Sequence, residues 1–186
     1  MEPELSTQKA PGALARIDAG LARAELALAA RLTGALALVL AAAAVARSLG
    51  APLIWADEAA VGLMCWAAFA GASAALAQGA HVSVSILESK LSPRAGWWRA
   101  LAETLILAAL LGWLASVIWR WLDPAGLWQA GSGQRLAETA FNFVWVEPTV
   151  TLGLRKIWLW SVLPLFCLGA GVHLAARLAR LAEAAR

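Results

Sequence analysis

The chain has 186 residues, of which 61% are hydrophobic and 15% are charged. This balance excludes an ordinary soluble domain and predicts an integral membrane protein. The formal charge of +3 is spread over the chain ends and loops instead of forming one block, which argues against a nucleic-acid partner.

The first predicted element is a helix that starts near Ile17 and continues into a membrane span at about residues 28–49. Residues 32–46 are wholly uncharged, and Arg31 and Arg47 are expected to extend their charged ends toward opposite membrane surfaces. No carboxylate lies inside residues 28–49. A four-helix exporter that works alone by proton exchange would be expected to bury an acidic residue on such a helix.

The second predicted span covers residues 57–78 and begins with Asp57 and Glu58, where negative charge favours a helix N-terminus. The uncharged run 59–77 would cover about 28 Å as a helix, close to the thickness of the bilayer core. Small side chains four residues apart form one face that permits close helix approach. They are Ala67, Gly71, Ala75 and Gly79.

A break at residues 78–80 leads into a predicted amphipathic segment, residues 81–91. Val84, Leu87 and Leu91 fall on one stripe of a helix, and polar residues cover the rest. This segment is expected to lie on the membrane surface or on a partner.

The third predicted span covers residues 98–122, with tryptophans at both ends as in the aromatic belts of membrane proteins. Glu103 follows Arg99 by one helical turn, which predicts an ion pair instead of an ion-binding site. A long connection at residues 123–156 follows and is expected to be ordered. Its aromatic and basic residues are candidates for docking a partner: Trp128, Arg135, Phe141, Trp145 and Arg155.

The fourth predicted span covers residues 157–177, and it is uncharged over residues 157–176. Lys and Arg outside the spans are about twice as frequent on the side that would hold both termini, which predicts that both termini are cytoplasmic and that the 123–156 loop is exterior. The sequence thus predicts an all-α membrane domain over residues 1–186, with four transmembrane helices and a cytoplasmic amphipathic helix between spans two and three.

Candidates for chemistry are few. Cys65 and Cys167 each lie inside an apolar run without CxxC spacing, so we interpret both as packing residues. The chain shows no pair of intramembrane carboxylates and no inverted repeat in which a substrate site would form. We therefore expect no catalytic, substrate-binding or metal-ligating residue and no cofactor.

Two neighbouring motifs carry a family resemblance. The first is WAAFAGA, with Trp66, Phe69 and Gly71, and the second is GAHVSV, with Gly79, His81 and Val84. Together with Trp55 and Glu58 upstream, they resemble the small membrane subunit, DctQ type, of tripartite ATP-independent periplasmic (TRAP) transporters. The chain departs from the family pattern at Gln78, Ser85 and Arg155.

The resemblance implies a scaffold in the bacterial inner membrane. Its partners would be a large multi-span TRAP subunit, which carries the substrate and sodium sites, and a periplasmic substrate-binding protein that delivers an organic anion. The motif residues would then serve the subunit interface and not catalysis, and the function would be secondary active transport by symport.

Two alternatives remain at this point. One is a four-helix haem anchor of a membrane redox complex, with His81 and His173 as axial ligands. The other is an unassigned assembly subunit of a different membrane complex.

Overall fold

The computed structural model describes residues 12–78 and 92–185. The predicted amphipathic segment, residues 81–91, lies outside the described residues, as do Gly79, His81 and Val84. Within the described ranges the regular structure is helical, in agreement with the all-α prediction.

Seven helices follow one another in these ranges. They are α1 (Ala13–Ser48), α2 (Ala56–Gln78), α3 (Pro93–Leu122), α4 (Pro124–Ala130), α5 (Gly133–Ala140), α6 (Ile157–Trp160) and α7 (Val162–Ala184).

Four helical segments of the described chain are long and apolar enough to cross a membrane. They are α1, α2, α3 continued by α4 (Pro93–Ala130), and α6 continued by α7 (Ile157–Ala184). The four predicted spans each fall on one of these segments, and the chain is a multi-pass membrane protein.

Local sequence signals explain where α3 begins and ends. Ser92 caps its start by accepting a hydrogen bond from the backbone N–H of Ala95 at 3.4 Å, and Pro93 occupies the first turn. Asp123 ends it in a left-handed conformation with φ 42°. The same carboxylate accepts a hydrogen bond from the backbone N–H of Gly126 at 2.9 Å and so starts α4.

The helices pack as two antiparallel pairs, α1 with α2 and α3 with α7, and α7 also packs along α2. A small apolar core of Leu76, Ala170 and Leu174 lies where α2, α3 and α7 meet, and Phe166 packs against it. We call the end of the bundle that holds the start of α1 and the end of α7 the termini end. The opposite end, which holds residues 123–156, is the loop end.

The first membrane helix begins well before the predicted span, residues 28–49, and it carries a buried acid in that extension. Helix α1 begins at Ala13, so Asp18 and Glu25 belong to the same continuous helix as the predicted span. Asp18 is only 6% exposed. The two acids are seven residues apart, which places both on one face of α1.

Candidate functional site

A buried polar cluster joins α1 and α7 near the termini end. His173 is 1% exposed, and its Nδ1 lies 2.6 Å from Oδ1 of Asp18. Its Nε2 lies 2.9 Å from Oε2 of Glu25. One imidazole therefore bridges two carboxylates of the first helix.

The remaining carboxylate oxygens of this cluster also have donors. The hydroxyl of Ser73, on α2, donates to Oε1 of Glu25 at 2.8 Å. The guanidinium of Arg180 donates to Oδ2 of Asp18 at 2.8 Å. Arg180 lies two helical turns after His173, on the same face of α7. We call these five residues, Asp18, Glu25, Ser73, His173 and Arg180, the three-helix cluster, because it ties α1, α2 and α7 together.

The hydrogen-bond inventory determines how many protons the three-helix cluster holds. Both nitrogens of His173 face carboxylate oxygens, which accept but do not donate when ionised. The two bonds can form together only if the imidazole is protonated on both nitrogens or if one carboxyl group carries the proton. In either case the charges of Asp18, Glu25, His173 and Arg180 sum to zero, which limits the cost of burying them.

A glycine makes room for this cluster on α7. A Cβ at Gly169 would overlap Oε1 of Glu25 and would lie 2.8 Å from the hydroxyl oxygen of Ser73. A side chain at this position would therefore force the Glu25 carboxylate or the Ser73 hydroxyl to shift. Gly171, on the same helix, has no such neighbour within 4 Å.

A second ion-pair group joins α3 and α7 beside the cluster. Glu103 lies 3.3 Å from Arg99, as the one-turn spacing predicted, and its carboxylate also lies 3.1 Å from Arg177. The indole N–H of Trp97 donates to the backbone carbonyl of Leu181 at 2.9 Å. The termini end of the bundle is thus held by polar contacts that reach all four long helices.

At the loop end, Glu58 binds the segment that leads into α6. Its carboxylate accepts hydrogen bonds from the backbone N–H groups of Val150, Thr151 and Leu152 at 2.7 to 3.1 Å, and from the Thr151 hydroxyl at 2.8 Å. The first turn of α2 therefore holds the end of the 123–156 loop in place.

The aromatic residues of the 123–156 loop fall into two groups. The indole N–H of Trp145 donates to the backbone carbonyl of Leu122, at the end of α3, at 2.7 Å. Trp128 and Phe141 are 88% and 81% exposed. Trp145 therefore fixes the loop to α3, and the other two present free aromatic surface.

An apolar cavity of about 320 Å³ lies between α1, α2 and α7. Trp66 and Phe69 line it from α2, and Glu25 of the three-helix cluster lies at its polar side. The ring of Phe69 packs edge-on against that of Phe166, with 5.3 Å between the ring centroids. The first sequence motif thus faces the interior of the helix packing.

The amino-acid sequence matches one known protein family. The profile of the family described as "Tripartite ATP-independent periplasmic transporters, DctQ component" matches residues 36–184, which is most of the chain. The chain belongs to the DctQ family. No curated protein and no solved structure gave a significant match. Proteins of the DctQ family are components of transporters, and the family is not one of enzymes.

The motif residues of this DctQ chain do not form one site but lie in several separate environments. Glu58 binds the loop, and Trp66 and Phe69 line the cavity. A Cβ at Gly71 would lie 3.9 Å from that of Ala29, so this position of the small-residue face meets α1. Trp55, before the first turn of α2, is 42% exposed.

Sequence reasoning did not find the three-helix cluster of this DctQ chain. Asp18 and Glu25 precede the residues that match the family, and Ser73 and Gly169 were not singled out. A signal was nevertheless present in the spacing: Asp18 and Glu25 are seven residues apart, and so are His173 and Arg180. Two pairs of complementary charge with the same repeat are typical of two helices that face each other.

The haem-anchor alternative is not supported. Both ring nitrogens of His173 are engaged by carboxylates within the chain, so neither is free to ligate iron. Among the described residues, no group of His, Cys, Asp or Glu is arranged to hold a metal ion. His81 lies outside the described residues.

Proposed function

We propose that this DctQ chain is the scaffold subunit of a sodium-coupled, binding-protein-dependent transporter for organic anions. The substrate and sodium sites would lie on the large membrane subunit, and this chain would hold that subunit in the bilayer. The family supports the transporter assignment, and the disposition of the acidic side chains supports the scaffold role.

The observation that carries the proposal is that carboxylates on the membrane helices are committed to partners within the chain. Asp18 and Glu25 are bonded to His173, Glu103 lies between two arginines, and Glu58 binds backbone N–H groups. A coupling cation needs oxygen ligands that are available to it. These carboxylates instead hold helices to one another and to the loop, which is what a rigid support requires.

The proposed orientation has both termini in the cytoplasm and the loop end in the periplasm of a bacterial inner membrane. The distribution of Lys and Arg supports it. In this orientation the three-helix cluster lies toward the cytoplasm, and Trp128 and Phe141 face the compartment of the binding protein.

The loop end is the proposed docking surface for the partner subunits. Trp128, Arg135 and Phe141 are exposed side chains there, and aromatic and arginine residues commonly anchor protein interfaces. Trp145 was predicted with them, but its indole is bonded to the end of α3, so its proposed contribution is to shape the loop. The side chain of Arg155 lines a cavity at the same end of the bundle.

Purification from the native membrane tests the assignment. A tagged copy of this chain is expected to retain a large multi-span membrane subunit and, when substrate-loaded binding protein is added, to form a three-component complex. Reconstitution in liposomes is the functional arm: the lone chain should show no sodium-driven uptake of an organic anion, and the full set of subunits should. Uptake by the lone chain would overturn the scaffold role.

A further inference from the structure

A second cavity, of about 720 Å³, lies at the loop end between the end of α3, helix α4 and the start of α6 and α7. Its walls are largely apolar and aromatic, and they include Leu122, Leu127, Trp145 and Trp158. Arg155 lines it as well. A single cationic side chain beside apolar walls is the lining expected of a site that binds an amphiphile.

The wall of this cavity is held by hydrogen bonds. Trp145 donates to the carbonyl of Leu122 at 2.7 Å, and the side-chain amide of Asn142 donates to the carbonyl of Trp121 at 3.1 Å. Beside them, a Cβ at Gly133 would lie 2.8 Å from that of Trp145, so the chain at Trp145 packs closely against the start of α5. The cavity is therefore part of the folded chain and does not depend on a loop closing over it.

Several charged side chains near the cavity have partners within the chain. Lys156 lies 2.6 Å from Glu147, Arg47 lies 4.0 Å from Asp57, and Glu58 is satisfied by the loop. Within the described part of the chain, the guanidinium of Arg155 has no acidic partner or acceptor. The cavity thus presents an unpaired cation, which selects an anionic ligand.

The depth of the cavity relative to the membrane decides the kind of anion. Arg155 and Lys156 directly precede the uncharged run 157–176, at the level where headgroups lie, and Trp158 and Trp160 mark the same level. The lining continues to Pro164, about 10 Å farther along the helix and inside the apolar run. A ligand that fills this space has an anionic group at the headgroup level and a hydrocarbon part within the apolar layer.

From this geometry we infer that the loop-end cavity binds one anionic phospholipid, with its phosphate at Arg155 and an acyl chain along Trp158 and Pro164. The indole of Trp158, 67% exposed, lies at the junction of the polar and apolar parts of such a ligand. A soluble partner would reach Arg155 but not Pro164, which is why lipid is favoured over a protein carboxylate. The bound lipid would fill the space between the loop and the α6–α7 segment.

Native mass spectrometry of the purified full-length chain in mild detergent tests this inference. The probes are phosphatidylglycerol and phosphatidylcholine with identical acyl chains, added separately in equal amounts. Wild-type chain should retain one phosphatidylglycerol about fivefold more strongly than phosphatidylcholine, the preference expected from one basic residue at the headgroup. Arg155→Gln should lose this preference and still bind both lipids weakly, and Arg135→Gln, an exposed arginine outside the cavity, should keep it.

Two further arms separate the apolar part of the site from its charge. Ser161→Leu fills the cavity without changing its charge. It should weaken the binding of phosphatidylglycerol and of phosphatidylcholine to the same extent. Glycerol 3-phosphate, which has the anion but no acyl chain, should not compete with phosphatidylglycerol. Equal retention of the two lipids by wild-type chain, an unchanged preference in Arg155→Gln, or competition by glycerol 3-phosphate would each overturn the inference. Loss of binding-protein association in Arg155→Gln with lipid retention unchanged would assign this arginine to protein docking instead.

Discussion

His173 and Asp18 are 155 positions apart in the chain, yet Nδ1 of the imidazole lies 2.6 Å from Oδ1 of the carboxylate, and both side chains are buried. This contact holds the start of the first membrane helix against the end of the last. Because Glu25 and Ser73 extend it to α2, the three-helix cluster is a structural clamp in an otherwise alanine- and leucine-rich bundle.

His173→Leu tests the clamp. The substitution leaves the carboxylates of Asp18 and Glu25 buried without their shared donor. Removing one partner from a buried charge pair typically costs about 3–5 kcal/mol. We expect a clearly lower midpoint of thermal unfolding, followed by circular dichroism in detergent.

The matching rescue is the triple variant with leucine at positions 18, 25 and 173. Replacing a whole buried ionic group by apolar residues is often close to neutral, so most of the lost stability should return. A triple variant as unstable as His173→Leu would show that shape and not unpaired charge accounts for the loss.

Gly169→Ala should disrupt the same cluster by steric means. The added methyl group would meet the carboxylate of Glu25 and the hydroxyl of Ser73, and such overpacking typically costs about 1–3 kcal/mol. Gly171→Ala is the matched control, since its methyl group has no neighbour within 4 Å. Equal unfolding midpoints for the two variants would refute the proposed need for glycine at position 169.

Glu58→Ala should loosen the end of the 123–156 loop without unfolding the helices. The backbone N–H groups of residues 150–152 would lose their common acceptor, so their hydrogen exchange should become faster. Asp57→Asn is the control, because Asp57 is exposed and lies 4.0 Å from its partner Arg47. Unchanged exchange at 150–152 in Glu58→Ala would mean that the loop is held by other contacts.

Trp128→Ala and Trp145→Ala should have opposite phenotypes. Trp128 is 88% exposed, so its loss should weaken uptake by the complete transporter in liposomes while leaving the stability of this chain unchanged. Trp145 is bonded to the end of α3, so its loss should lower the unfolding midpoint of the isolated chain. Wild-type uptake rates in Trp128→Ala would remove the docking role proposed for this side of the loop.

Membrane orientation can be measured by cysteine labelling in a background with Cys65→Ala and Cys167→Ala. Gln134→Cys, exposed on α5, should react with a membrane-impermeant maleimide in intact cells, and Ala182→Cys, near the end of α7, should react only after the cells are opened. Gln134 is preferred to Ser132, whose hydroxyl caps α5. The reverse pattern would place the termini outside and contradict the proposed orientation.

Much of the fold can be predicted from the sequence because membrane insertion depends on local properties. A run of about 20 apolar residues spans the bilayer whatever its neighbours are, so the four spans and the all-α class follow from hydropathy. The predicted end of the third span at residue 122 matches the end of α3, where Asp123 and Pro124 follow, but its predicted start at residue 98 missed the cap at Ser92 and Pro93. The motifs around Trp66 indicated the family, which the match over residues 36–184 confirms.

Tertiary structure alone decided which polar groups meet. Hydropathy places Asp18 and Glu25 before the first span, but it does not specify how far α1 continues or how it is rotated about its axis relative to α7. That rotation brings two carboxylates to one imidazole, and the register of α2 places Ser73 at Glu25. At the other end, the same packing joins Glu58 to Val150 and Leu152, which are 92 and 94 positions farther along the chain. These contacts depend on the relative rotation and register of helices that are distant in sequence, and hydropathy, a sum over neighbouring residues, does not contain that information.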